Sequence, residues 1–163
     1  MSSESRALRS LDAWARVIAV AGVIVAVDQF TKQLVVDHVD PGRPVELIFG
    51  FEISNVRNSG IAFGLLGGSS DALVLALTLG ALALLLGYFA GHADRPELWL
   101  PVGLVVGGAL GNLADRVREG GVTDFLDPPL WPAFNLADVS ITFGVVVIAL
   151  AALAPGQPQA AEP

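Results

Sequence analysis

Two aspartates, Asp124 and Asp138, stand on either side of a proline-broken loop. With Asn112, Asp115, Arg116, Asp127 and Asn135 they fall inside the stretch 107–144. Two nearby carboxylates cannot both ionise readily, so one keeps its proton. The ionised member can then draw a proton from water while the protonated one donates to a carbonyl oxygen. That is the chemistry of peptide hydrolysis with neither a metal nor a covalent intermediate. Asn112, Arg116 and Asn135 are hydrogen-bonding groups suited to positioning a substrate or its polar headgroup. Each acid also has a plainer reading. Asn135 is placed as a helix N-cap with Asp138 at N3, where an acid simply complements the helix dipole. Asp124 reads equally well as a solvated loop acid.

The elements that must hold these groups are apolar. The 163 residues are 53% hydrophobic and 15% charged, against about 25% charged in a soluble domain. The mean hydropathy is +0.64. A bilayer-spanning helix needs about 20 mainly apolar residues. The sequence supplies four such stretches, at about 13–36, 72–91, 98–115 and 137–154. The expected fold is an all-α integral membrane protein of four transmembrane helices, with a small extracytoplasmic β element after the first. Residues 1–154 read as a single membrane-embedded domain, and the proline-rich 155–163 as a disordered tail.

The first stretch has a short charge-free core, 17–27, which alone resembles a secretory signal. Apolar character resumes after Asp28 and no small-residue cleavage site follows, so a retained helix is expected. Arg6, Arg9 and Arg16 before it favour a cytoplasmic N-terminus. Four spans then put both termini in the cytoplasm, with 37–70 and 116–137 outside. Asp28 and Lys32 share a helix face at i, i+4. The plain reading is a paired charge set near the membrane surface, with Lys32 snorkelling outward; residue type alone does not decide it. Residues 45–56 are rich in β-formers and suggest a small sheet at the membrane surface. Residues 122–126 alternate, so Asp124 points with Val122 and Leu126. Gly103, Gly107 and Gly111 recur every four residues and form a stripe for close helix packing.

Other chemistries find little support. A net charge of −7 with no basic run argues against nucleic acid as a partner. Cysteine is absent, which removes disulfides, thiolate nucleophiles and Cys-based metal sites. The two histidines, His38 and His92, are far apart, so no metal site or other cofactor is expected.

Five motifs in order resemble those of the lipoprotein signal peptidase (signal peptidase II) family. They are Asp28-Gln29-x-x-Lys32, Asn58-x-Gly60-x-Ala62-Phe63-Gly64, Gly111-Asn112-Leu113-x-Asp115-Arg116, Gly120-x-Val122-x-Asp124-Phe125 and Phe134-Asn135-Leu136-Ala137-Asp138. Taken singly each is weak; Asn58-x-Gly60 alone reads as a turn. The resemblance implies a membrane aspartic endopeptidase with Asp124 and Asp138 as the catalytic pair. Asp28, Asn58, Asn112, Arg116 and Asn135 fall on positions that line or support the family's site. It further implies cleavage of the signal peptide from bacterial prolipoproteins, just before a cysteine already bearing diacylglycerol. The site would face the extracytoplasmic side of the inner (cytoplasmic) membrane, in contact with membrane lipid, and a monomer is expected.

Two rival readings stand beside this one. A small ion-coupled transporter would use intramembrane acids to bind cations, but it would place them near the midplane, and no internal repeat is visible. A non-catalytic scaffold explains the glycine stripe but not the aspartates.

Overall fold

A computed structural model of the chain describes residues 3–59 and 71–153. Gly60 to Gly64 of the second motif and the tail at 155–163 lie outside the described residues. Four helices and three strands follow in the order α1 (Ser3–His38), β1 (Val45–Glu46), β2 (Glu52–Asn58), α2 (Asp71–Gly91), α3 (Trp99–Glu119), β3 (Val122–Asp127) and α4 (Leu136–Leu153).

By length and apolarity, three of these helices can cross a membrane: α1 over 7–38, α2 over 72–91 and α4 over 136–153. The four expected helices are present, and α3 is the one that falls short of the other three in apolarity. α3 is 21 residues long but is interrupted by glycines and ends in Asn112, Asp115, Arg116, Arg118 and Glu119. It can be less apolar because it sits in the middle. Its most extensive packing is against α1 and α4, with a smaller contact to α2.

Glycine makes that central position accessible. A Cβ on Gly103 would stand 2.8 Å from Val20 Cβ, and one on Gly107 would stand 2.9 Å from both Cα and O of Ala21. On Gly111 it would stand 2.5 Å from Asp28 Oδ2. The expected stripe is therefore the α1–α3 seam. Gly108 and Gly144 do the same for α3 and α4, where a Cβ would fall within 2.5 Å of Ala137 O and 2.6 Å of Val105 Cγ2. At one end, Val17, Phe89, Leu98 and Val102 form a buried cluster, with Trp14 packed edge-on against Phe89 at 4.9 Å. Arg16 lies over the Trp99 ring there, 5.5 Å from its centre.

At the other end lies the sheet, antiparallel and ordered β1-β2-β3. A β element after the first helix was expected from residues 45–56. Its third strand was not, since β3 arrives from beyond α3. Gly120 ends α3 in the left-handed region, at φ 69°, and returns its N–H to Arg116 O at 2.9 Å. The chain then turns directly into β3, whose Asp124 stands opposite Val56. Phe125 packs with Val35 of α1 and with Val39 just beyond its end. Alternation sends the neighbouring Asp124 to the opposite face of the strand.

The seam generates a stability contrast. Gly107→Ala drives a methyl into the α1 backbone and should cost about 1–3 kcal/mol, the usual range for overpacking. Gly80→Ala, in α2 with nothing within 4 Å of the added methyl, should be neutral or stabilise by up to about 1 kcal/mol through helix propensity. Thermal unfolding of both variants in detergent checks this, and equal midpoints would refute the close approach.

Candidate active site

Asp124 and Asp138 come together through three asparagines. Asn58, the last residue of β2, donates from Nδ2 to Asp124 Oδ2 at 2.8 Å. Asn135 donates from Nδ2 to Asp124 Oδ1 at 2.7 Å. Asn112 of α3 donates from Nδ2 to Asp138 Oδ1 at 2.8 Å. Asn135 also caps α4. Its N–H donates to Asp138 Oδ2 and its Oδ1 accepts the Asp138 N–H, both at 3.1 Å. This reciprocal pair is a capping box. The helix-capping explanation of Asp138 therefore holds, and the same geometry presents its carboxylate beside that of Asp124.

Asp124 is 3% exposed, so it is no solvated loop acid. Burial pushes its carboxyl up to about 6, aided by the negative charge of Asp138 and opposed by hydrogen bonds from Asn58 and Asn135 and by the charge of Lys32. Nearness to that value makes it a proton donor or acceptor in a range where an ordinary carboxylate is fully ionised.

Of the seven residues singled out from sequence, five line one cavity of about 810 Å³: Asn58, Asn112, Arg116, Asp124 and Asp138. Asn135 and Asp28 are fully buried behind it. Apart from the five polar residues and two threonines, Thr78 and Thr142, the wall is apolar, with Leu77 from α2 and Val139, Phe143 and Val146 from α4. Arg116 donates from Nη1 to Asn112 O at 3.3 Å and lines the cavity. Such a pocket suits a chain with one polar point of attachment and long apolar arms.

Asp28 supports the site from α1. Its Oδ1 accepts the Ala137 N–H at 3.0 Å, satisfying a donor in the first turn of α4. Its Oδ2 meets Lys32 Nζ at 2.8 Å. Lys32 is 4% exposed, which corrects the reading that it snorkels outward. It turns inward because two further acceptors await it on α3: Asp115 Oδ2 at 2.8 Å and Asn112 Oδ1 at 2.9 Å. Gln29 joins the cluster, donating from Nε2 to Asp115 Oδ1 at 2.7 Å and to Gly111 O at 3.2 Å. Arg118 in turn donates to Gln29 Oε1. Lys32, Gln29 and Asp115 were absent from the sequence-based site, although the first and third motifs contain them. Among the described residues, no three His, Cys, Asp or Glu side chains are grouped to hold a metal ion.

Comparison with known proteins identifies the family. Residues 20–154 match the family described as Signal peptidase (SPase) II. The lipoprotein signal peptidase of Moorella thermoacetica is 40% identical over 147 residues, covering 90% of this chain and 98% of that protein. The one from Pelotomaculum thermopropionicum is 41% identical over 135 residues, covering 82% and 89%. A bacterial membrane enzyme solved by the in meso method at 2.3 Å superposes with a TM-score of 0.81 at 32% identity, over 90% of this chain and 93% of its own. Since the match runs from α1 through α4 and takes in every element that supplies the site, the chain belongs to the signal peptidase II family.

Proposed function

We propose that this chain is a membrane aspartic endopeptidase that removes signal peptides from bacterial prolipoproteins, with Asp124 and Asp138 as its acid–base pair. Family membership supports the reaction. The observation that supports the residues is two carboxylates, each hydrogen-bonded on both oxygens and both bonded to Asn135, lining a mostly apolar cavity. Membership in a peptidase family sets aside ion-coupled transport.

The pair works with one proton. Asp124, whose protonated form burial favours, donates to the scissile carbonyl oxygen. Asp138 takes a proton from water, and the hydroxyl oxygen bonds to the carbonyl carbon. The tetrahedral adduct collapses when its C–N bond breaks: the nitrogen takes up the proton held by Asp138, and a hydroxyl proton of the adduct returns to Asp124, which restores the pair. The products are a carboxylate at the end of the signal peptide and a free amine on the cysteine. The apolar walls suit the signal helix and the diacylglyceryl chains, which fixes the cut just N-terminal to the modified cysteine. Arg116 suits the polar part of the lipid or the peptide carbonyls near it.

The membrane arrangement belongs to the same proposal. α3 crosses beside α1, α2 and α4 as the fourth span, shielded from lipid by its neighbours. Arg6, Arg9 and Arg16 hold the N-terminus in the cytoplasm, so both termini lie there and the sheet and site lie outside. Residues 1–154 act as one domain, and the protein works as a monomer. A reporter fused after Pro163 should be active only when it is of a kind that works in the cytoplasm. Activity from an externally working reporter would reverse the orientation.

Three enzymatic outcomes follow from the pair. Asp124→Asn and Asp138→Asn should each lower turnover of a diacylglyceryl-cysteine peptide by at least about 100-fold, and the double variant should be little worse than either. A chelator should leave the wild-type rate unchanged, and inhibition by one would point to a metal instead.

The kcat/KM of the wild type should fall as pH rises past about 6, because Asp124 then loses its proton and the pair carries two negative charges. Asn58→Leu removes a donor that favours the ionised form, so this alkaline limb should move to higher pH. An unmoved limb would take Asp124 out of the titration.

Arg116→Lys replaces a planar fork with a point charge and should lower kcat/KM by about tenfold, or about 1.4 kcal/mol. Wild-type kinetics would leave Arg116 without a part in binding.

A further inference from the structure

Lys32 lies behind the cavity and touches neither member of the proposed pair directly. An ammonium group has three N–H donors and no acceptor. Here the three meet Asp28 Oδ2, Asp115 Oδ2 and Asn112 Oδ1, at 2.8, 2.8 and 2.9 Å. The two carboxylates account for the burial of a positive charge. The bond to a neutral amide is the one left to explain.

An asparagine side chain has an oxygen end and an amino end of nearly equal size, and either can point either way. A group that only donates accepts one of the two orientations. With Oδ1 turned to Lys32, the amino end of Asn112 is directed at Asp138 Oδ1, 2.8 Å away. The same Oδ1 accepts from Asn135 Nδ2 at 3.2 Å, and that amino group also donates to Asp124 Oδ1 at 2.7 Å. One ammonium group thus sets the direction of the hydrogen bonds that reach both carboxylates. With Asn112 turned over, its oxygen would face an Asp138 oxygen, leaving two acceptors with no proton between them. Asn135 would meet an amino group in place of its acceptor.

We propose that Lys32 is a positioning residue for peptide cleavage: it locks the Asn112 amide in the one orientation that donates to Asp138. The inference rests on the assignment of Asp124 and Asp138 as the reacting pair. It adds a role for a charge in α1 that does not line the cavity. The charged groups around the pair are Asp28 and Lys32 from α1, and Asp115 and Arg116 from α3. Of these, Lys32 alone donates to the Asn112 side chain among the described residues.

The test compares Lys32→Met, Lys32→Gln, and Lys32→Met combined with Asp115→Asn, in the full chain in detergent. The double variant removes one charge of each sign, so it keeps the net charge of the cluster while losing the donor. Glutamine restores a donor without a charge. Turnover of a diacylglyceryl-cysteine peptide is measured against pH, with thermal unfolding alongside. Both methionine variants should lose at least about 100-fold in kcat with KM within about threefold, as expected when only the reacting groups are disturbed. The pH–rate profile should shift, because the hydrogen bonds that reach the two carboxylates are no longer held in one direction. Lys32→Gln should retain at least about ten times the kcat of Lys32→Met, since its amide can still donate to Asn112.

Wild-type kcat in the folded double variant would overturn the proposal. A loss confined to KM would do so too, as would an unshifted profile in which Gln is no better than Met; the last is what a merely structural lysine gives. If Lys32→Met alone fails to fold, the charge-matched and glutamine variants decide. Asp138→Asn is assayed in parallel. Activity surviving there would bring down the reacting pair, whereas an inactive Asp138→Asn beside unimpaired Lys32 variants would bring down the positioning role alone.

Discussion

A buried ammonium group is costly unless each of its donors finds an acceptor, and removing one partner of a buried ion pair typically costs about 3–5 kcal/mol. In this protein that requirement ties three helices together. Lys32 draws Asp115 and Asn112 of α3 onto α1. Asp28, the other partner of Lys32, reaches the first turn of α4. The helices must therefore approach closely, and the absence of a Cβ at Gly111 admits the Asp28 carboxylate. Packing seam and ion cluster are two sides of one constraint, since neither set of contacts can form at a wider helix spacing.

The site is built outward from that cluster. Asn112 and Asn135 each use both ends of the amide, so they transmit direction from the ions to the carboxylates. Asn58 arrives from elsewhere, at the end of a strand that pairs with the one bearing Asp124. Arg57 next to it is fastened to the end of α3 by a 2.5 Å contact with Glu119 Oε2. The sheet is small, yet it has two faces to serve. It packs Phe125 onto α1 and holds Asp124 over the cavity.

What could be read from the sequence was local. Long apolar runs marked α2 and α4, apolar character resuming after Asp28 marked α1, and the spacing of Asn135 and Asp138 marked the cap. The glycine period gave the seam, although not which helix would lie in it. What could not be read depended on distant pairing. Lys32 finds Asn112 80 positions away, and the i, i+4 relation to Asp28 is the same whether the pair faces lipid, water or protein. The third strand was hidden for a like reason. Residues 122–127 show alternation, but their partner lies in the segment before α2. α3 has no stretch as apolar as those of the other three helices, and a helix surrounded by others need not present a hydrophobic face all round.

The i, i+4 placement of Asp28 and Lys32 also bears on how such a chain is made. α1 is synthesised long before the residues on α3 that will complete its cluster. A lone carboxylate or a lone ammonium group entering the bilayer at that stage would have nothing to offset it. One turn apart on the same helix, the two neutralise each other from the start, so the nascent segment can be handed to lipid as a self-contained unit. When α3 arrives, Asp115 and Asn112 occupy the donors of Lys32 that Asp28 leaves open. The same lysine thus belongs to two ion pairs, one within α1 and one that reaches α3.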